Sequence, residues 1–212
     1  MKWMADCAVD GSTRLRPTYD DVLDVLRALL LPVPVNEDWY QAEYPAIPDY
    51  LAHMPNETAT SHFQKHGYFE GRKPFEPGWR GLTAPVPFAQ IKTRMRLVPA
   101  RGRLQVDIEV EEFRAWLKKL LIAVPVDEEW YLSTYPNAAR AIDVGTFDSA
   151  ATHYAERGYF AGWLPFAVEV DETWYHSRYE HVRTALERGV AKSAQDHFLR
   201  MGYNERCRPT PP

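Results

Sequence analysis

The sequence predicts a mainly α fold built from repeats of short helices with two small β-hairpins, which a strict count of elements would class as α+β. The first observation behind this prediction is internal repetition, because three segments of the 212-residue chain align without a gap. The second is composition. The 7 Trp, 12 Tyr and 9 Phe can fill a core between short helices, and the 17 prolines supply many helix boundaries.

The three aligned segments are residues 33–75 (repeat 1), 124–166 (repeat 2) and 168–209 (repeat 3). Each contains Trp-Tyr, a second Tyr four residues later, a His 23 residues after the Trp, and Gly-Tyr five residues after the His. These signature positions are Trp39, Tyr40, Tyr44 and His62 in repeat 1, Trp130, Tyr131, Tyr135 and His153 in repeat 2, and Trp174, Tyr175, Tyr179 and His197 in repeat 3. Their helical spacing in every repeat favours a core role over a sugar-stacking surface.

Each repeat is predicted to contain three helices. The first starts after an N-cap residue, which is Asn36, Asp127 or Asp171. In repeats 1 and 2 it ends at a Tyr that precedes Pro, because the residue before proline disfavours the α region. The second helix is closed in repeats 2 and 3 by Gly145 and Gly189. The third starts after Thr58, Ser149 or Ser193, carries the signature His, and ends at Gly67, Gly158 or Gly202.

A helix and a hairpin are predicted ahead of repeats 1 and 2, at an offset of 91 residues. The apolar residues of the helices, 19–31 and 110–122, recur at i, i+4, i+7 and i+8 and form one buried face. The hairpins are 2–16, turning at Asp10-Gly11, and 92–110, turning near Ala100-Arg101-Gly102. The chain therefore divides into residues 1–75, a linker at 76–90, residues 91–166, and residues 167–212 as a terminal repeat unit.

Charge, hydropathy and cysteine content exclude several classes of protein. A net charge of −4 argues against a general nucleic-acid-binding protein. No apolar run is long enough to span a bilayer, and the first six residues lack the apolar run of a signal peptide, so we predict a cytoplasmic protein with no membrane span. Two cysteines, Cys7 and Cys207, are too few for a disulfide framework.

Three histidines are the obvious candidates for catalysis or metal binding, namely His62, His153 and His197. Zinc ligands must converge on one point from about 2 Å, whereas equivalent positions of stacked repeats are separated by the repeat translation. We therefore favour a core role in which each His bonds within its own repeat. His62 and His66 are spaced i, i+4 and are the alternative metal pair, but repeats 2 and 3 have Arg157 and Met201 at the second position. No catalytic residue, metal or cofactor is predicted.

A basic segment without acidic residues runs from residue 91 to residue 106. Lys92, Arg94 and Arg96 alternate with apolar or neutral residues, so a strand would place all three charges on one face. This face would bind an acidic partner, or it is a solvated sheet face that opposes edge pairing; the two interpretations are about equally supported. Trp3, Trp79, Trp116 and Trp163 lie outside the signature positions and are candidates for a binding surface. The residues predicted to bind a partner or anion are Lys92, Arg94, Arg96, Arg101, Arg103 and Trp79.

The pattern Asp-Glu-x-Trp-Tyr-x-x-x-Tyr-Pro, followed by His-Phe/Tyr and Gly-Tyr-x-Glu-Gly-Arg-x-Pro, resembles short repeats attached to bacterial glycosyltransferases and other polysaccharide-biosynthesis proteins. Since such repeats resemble accessory modules beside catalytic domains, the resemblance implies an accessory role. The chain also departs from those proteins, because it contains no Asp-x-Asp metal motif and no Gly-rich nucleotide-sugar turn. We expect a non-catalytic interaction or scaffold module that binds a protein partner or an anionic glycan. The alternatives are an enzyme with a pocket between the two large units and a sugar-binding lectin.

Overall fold

The structure is a computed structural model that describes residues 13–100, 102–202, 205 and 207–210. These residues form twelve α-helices and one three-stranded antiparallel sheet, so the predicted mainly α fold class is confirmed. The chain divides into two compact units, Met1–Pro125 and Val126–Pro212, a division that falls inside the predicted segment 91–166. No helix in the described ranges is long and apolar enough to cross a membrane.

The sheet belongs to the N-terminal unit and has the strand order β1-β3-β2. Its strands are β1 (Arg14–Leu15), β2 (Arg96–Ala100) and β3 (Arg103–Glu109). Strands β2 and β3 form the predicted second hairpin, and Gly102 adopts a φ of +75° beside the turn, which glycine tolerates. The predicted first hairpin, with its turn at Asp10-Gly11, lies outside the described residues except for its last part, where β1 pairs with β3.

The predicted strand over Lys92, Arg94 and Arg96 is wrong, because a helix precedes the hairpin. Helix α5 (Phe88–Lys92) buries Phe88 and Ile91, which are three residues apart and therefore lie on one helix face. A turn follows, and β2 begins only at Arg96. The apolar helical spacing outweighs the alternation of charges, so the three cations do not share a strand face.

Two amphipathic helices pack together in the N-terminal unit, as their sequence pattern predicts. Helix α1 (Tyr19–Leu30) starts with a capping box between Thr18 and Asp21. Helix α6 (Val110–Leu121) starts directly after β3. Their buried residues are Val22, Leu26, Leu29 and Leu30 in α1, and Phe113, Trp116, Leu117, Leu120 and Leu121 in α6. Burial of one such side chain contributes about 1.5–3 kcal/mol, so this face holds the unit together.

Repeat 1 also lies in the N-terminal unit. It contains α2 (Glu37–Glu43), α3 (Ala46–His53) and α4 (Ala59–His62), and α4 continues as one π-helical turn, Phe63–Gly67. The two ends of the repeat are joined by a hydrogen bond from the Asn36 amide to the Pro74 carbonyl oxygen (3.0 Å). The repeat is therefore a closed unit of short helices.

The C-terminal unit has the same element order twice. Repeat 2 contains α7 (Glu128–Thr134), α8 (Pro136–Asp143) and α9 (Ala150–His153) with the π-helical turn Tyr154–Gly158. Repeat 3 contains α10 (Glu172–Arg178), α11 (Glu180–Glu187) and α12 (Ala194–His197) with the π-helical turn Phe198–Gly202. The predicted N-caps are all present, since each side chain accepts a hydrogen bond from the amide three residues later.

The first helix ends at the signature Tyr even where no proline follows. Repeat 3 has Glu180 after Tyr179, yet Tyr179 has a φ of −121°, the value that Tyr135 also adopts before Pro136. In both repeats the hydroxyl of this Tyr accepts a hydrogen bond from a backbone amide 29 residues later, that of Leu164 (3.0 Å) or Arg208 (2.8 Å). A tertiary contact at the same position thus accompanies the helix end with or without proline.

Candidate functional site

A buried tyrosine–histidine pair occupies the centre of every repeat. The Tyr hydroxyl oxygen lies 3.1 Å from His Nδ1 in repeats 1 and 3 and 3.0 Å from it in repeat 2. The pairs are Tyr40 with His62, Tyr131 with His153, and Tyr175 with His197. Each of these three histidines is at most 4% exposed. This is the arrangement expected if each His bonds within its own repeat, since a buried imidazole needs a hydrogen-bond partner.

The glycine that ends the third helix is required by the same tyrosine. A Cβ atom on Gly67, Gly158 or Gly202 would lie well under 3.0 Å from the Tyr hydroxyl oxygen of its own repeat. These glycines have no positive φ, so the requirement is steric and not conformational. Tyr, His and Gly together form what we call the Tyr-His-Gly core of each repeat.

The half-buried aromatics of the signature surround this core. The signature Trp of each repeat contacts the second signature Tyr edge to face, with ring centres 6.1, 5.9 and 5.9 Å apart in repeats 1, 2 and 3. That second Tyr contacts the core Tyr in turn, at 4.9–5.0 Å. The signature aromatics therefore pack on one another, as a core role predicts.

Burial also shifts the ionisation of the core. It raises the pKa of Tyr40 to about 12 and raises the pKa values of Tyr131 and Tyr175 above their usual range. It lowers the pKa values of His62, His153 and His197 below the ordinary histidine value. Both partners of each hydrogen bond are thus uncharged near neutral pH.

Acidification is expected to destabilise the fold through these histidines. The unfolded chain, with a histidine pKa of about 6.5, binds protons more readily than the folded chain. The contribution of these histidines to the free energy of unfolding is therefore complete above that pH and is lost as the pH falls toward the lower pKa of the folded state. Urea unfolding at about pH 7 and about pH 5 measures the loss. His153→Gln should reduce the pH dependence, and an undiminished loss in that variant would contradict this origin.

One position beside the core differs in all three repeats. Arg72, Trp163 and Cys207 are equivalent, because their amides donate to the carbonyl oxygens of Gly67, Gly158 and Gly202 at 2.8–2.9 Å. The Arg72 guanidinium lies 5.2 Å from the centre of the Tyr44 ring and pairs with Glu70 at 2.9 Å. The Trp163 ring stacks at 4.4 Å on Tyr135 and lies 5.5 Å from the His153 ring. The repeats therefore share a core and differ in what covers it.

Of the three described tryptophans outside the signature, one is buried and two are half-buried. Trp116 is 2% exposed, so the expectation of a surface role for it is wrong; it lies three residues after Phe113 on the buried face of α6. Trp163 is half-buried in its stack. Trp79 is also half-buried, 5.2 Å from Phe75 and 4.6 Å below the Arg80 guanidinium. Trp3 lies outside the described residues.

The basic segment is dispersed by the fold. Arg14, Arg16 and Arg96 approach the buried Asp107 carboxylate at 2.8, 3.7 and 3.8 Å, and the hydrogen bond from Arg14 lowers the pKa of Asp107. Arg96 is therefore partly neutralised. Lys92 and Arg103 are exposed, and Arg101 lies outside the described residues. The roles of these cations in binding stay predictions.

Arg94 instead lines a cavity of about 190 Å³ between α5 and α6. The lining residues are Val86, Gln90, Ile91, Thr93, Arg94, Trp116 and Lys119. Arg94 and Lys119 are exposed cations, and neither forms an ion pair with any described residue. The buried Trp116 Nε1–H also lacks an acceptor within the described part of the chain. We call this site the Arg94–Lys119 cavity. Lys119 is not predictable as a site residue from the sequence, because only tertiary packing brings α6 to α5.

A second group of side chains has the chemistry of a metal site. Within the described part of the chain, one set of three His, Cys, Asp or Glu residues has all its ligand atoms within 4.8 Å of one another: His181, His197 and Glu205. His197 was predicted from the sequence as a signature residue, whereas His181 and Glu205 were not predicted as site residues. One sequence difference pointed to His181: repeats 1 and 2 have Ala46 and Asn137 at the equivalent position.

No protein-family model, curated protein or solved structure matches this chain. The resemblance to repeats of polysaccharide-biosynthesis proteins therefore stays a prediction.

Proposed function

We propose that this protein is a non-catalytic binding module that recognises an anionic group on a partner, either a protein or an anionic glycan, in polysaccharide or glycoconjugate biosynthesis. The observation that carries the proposal is the Arg94–Lys119 cavity, where two cations without a described ion pair flank a concave site. The biosynthetic setting rests on the sequence resemblance alone.

The chemistry of the cavity fits a carboxylate or a phosphate group. Arg94 offers a planar fork of N–H donors that matches two oxygens of such a group, and Lys119 adds a second positive charge. Gln90 and Thr93 contribute further polar groups at the rim. A volume of about 190 Å³ accommodates such a group but not a large apolar ligand.

The Tyr-His-Gly cores support a framework role for the repeats. A general base must come within hydrogen-bond reach of the proton that it abstracts. His62, His153 and His197 are each buried, and one ring nitrogen of each is engaged by a tyrosine. Their three-fold recurrence is explained by packing, which leaves recognition to the non-repeated residues.

Reversing the cavity charges tests the proposal. The double variant Arg94→Glu/Lys119→Glu is expected to weaken binding of an anionic probe by at least about tenfold, since each lost charge-assisted hydrogen bond is worth about 1.5–3 kcal/mol. Two probes, a uronic-acid oligosaccharide and a glutamate-rich peptide, are titrated by calorimetry beside a neutral oligosaccharide. Selective binding of one anionic probe supports the proposal and identifies the partner class.

The matched control reverses two exposed cations elsewhere, Lys73→Glu/Arg188→Glu, which changes the net charge equally. Equal affinity in the two double variants would exclude the cavity as the binding site. Failure of both anionic probes to bind the wild-type protein would overturn the proposed function.

A further inference from the structure

Three potential metal ligands meet beside the core of repeat 3, and a cysteine lies next to one of them. His181 lies in the first turn of α11, His197 is the last residue of α12, and Glu205 and Cys207 follow the π-helical turn. The Glu205 Oε2 atom lies 3.3 Å from Nε2 of His181 and 3.9 Å from Nε2 of His197. The Cys207 Sγ atom lies 4.0 Å from Nε2 of His181. From these contacts we propose that repeat 3 contains a transition-metal site of the zinc class.

The separations are close to those that a tetrahedral ion imposes. With bonds of about 2.0–2.3 Å, tetrahedral ligand atoms lie about 3.3–3.8 Å apart. The three atoms of His181, His197 and Glu205 already lie within 4.8 Å of one another. Side-chain rotations therefore bring these three atoms to a common ion, and Cys207, which contacts His181, turns toward the same point as the fourth ligand.

His197 is held in the orientation that a ligand needs. Its Nδ1 atom lies 3.1 Å from the Tyr175 hydroxyl oxygen, so Nε2 is the ring nitrogen that faces Glu205. Metal-binding histidines generally have such a partner on the second nitrogen, which fixes the ring. The Tyr-His-Gly core thus places one ligand before any ion binds.

The other repeats show what replaces the ion. In repeat 1, Glu70 matches Glu205, and the Arg72 guanidinium that pairs with it stands where repeat 3 has Cys207. In repeat 2, Trp163 fills the same position and stacks on Tyr135. Of the three repeats, only repeat 3 has a His at the position of His181 and a Cys at the position of Cys207. A divalent cation there supplies the positive charge that the arginine supplies beside Glu70.

The donor set selects the class of metal. Two imidazoles, a carboxylate and a thiolate suit Zn²⁺ or Co²⁺, whereas Mg²⁺ and Ca²⁺ prefer oxygen ligands alone. Because the ligands close a four-coordinate shell within one repeat, the site stabilises that repeat and needs no substrate.

The test is a titration of chelator-treated protein without a histidine tag. Zn²⁺ is added in competition with a chromophoric chelator, and one ion per chain is expected with a rise in the thermal midpoint. Co²⁺ should give the visible spectrum of a tetrahedral site with a thiolate charge-transfer band. Absence of stoichiometric binding at a hundredfold excess of metal over protein would overturn the proposal.

Variants separate this site from adventitious binding. His181→Gln alters an exposed ligand and should weaken Zn²⁺ binding by at least about tenfold, whereas His53→Gln, at an exposed histidine of repeat 1, should leave it unchanged. Cys207→Ser should remove the thiolate band, and persistence of the band would exclude Cys207 as a ligand. Equal affinities of wild-type and His181→Gln proteins would refute the site itself. Circular dichroism verifies that each variant is folded.

Discussion

Gly158→Ala is expected to destabilise the protein by about 3 kcal/mol, because its Cβ would overlap the Tyr131 hydroxyl oxygen. Tyr131 is fully buried, so its ring cannot move aside without loss of packing and of the hydrogen bond to His153. In a unit of this size the thermal midpoint should fall by more than about 10 °C. Circular dichroism of the thermal transition measures the change.

A double-mutant cycle identifies the cause of this loss. Tyr131→Phe removes the hydroxyl and by itself should cost about 1–2 kcal/mol, since His153 loses its partner. If the hydroxyl causes the clash, Gly158→Ala should be much less harmful in the Tyr131→Phe background than in the wild type. Additive effects would show that the glycine is needed for another reason.

Trp116→Ala is expected to destabilise the N-terminal unit by about 3–5 kcal/mol, because it empties the largest fully buried site of the described core. Trp116 lies on the face of α6 that is buried, next to Phe113 at a ring-centre distance of 6.1 Å. Urea unfolding followed by tryptophan fluorescence provides the free energy of unfolding.

Two further variants calibrate this result. Trp116→Phe should cost much less than Trp116→Ala, because it keeps most of the ring and removes an indole N–H that has no acceptor among the described residues. Trp79→Ala, at a half-buried position, should cost less than Trp116→Ala. A loss at Trp79 equal to that at Trp116 would contradict the assignment of Trp116 to the core.

Much of the fold was predictable from local signals. The N-caps of the repeat helices and the buried faces of α1 and α6 were each predicted from a few neighbouring residues. Capping and helical periodicity act over one or two turns, so a short stretch of sequence contains the whole interaction. The strand predicted over Lys92 and Arg94 was wrong because it was based on the alternation of charges. The apolar spacing of Phe88 and Ile91, an equally local signal, indicates the helix that is observed.

The candidate sites were predicted only in part. Arg94 was identified as a binding residue, but its neighbours Lys119 and Trp116 lie on α6, more than twenty residues further along the chain. His197 was recognised as a signature residue, whereas its contacts with Glu205 and His181 depend on how α11, α12 and the following turn pack.

By itself the sequence determined the three repeats, the starts of their capped helices and the aromatic core, because spacing and capping are encoded between residues close in the chain. Only the tertiary structure showed that a Tyr hydroxyl leaves no room for a Cβ atom at Gly67, Gly158 and Gly202. It also decided which cations remain unpaired and which histidine meets further ligands. These properties depend on distances between residues remote in sequence, which packing fixes and local propensity does not.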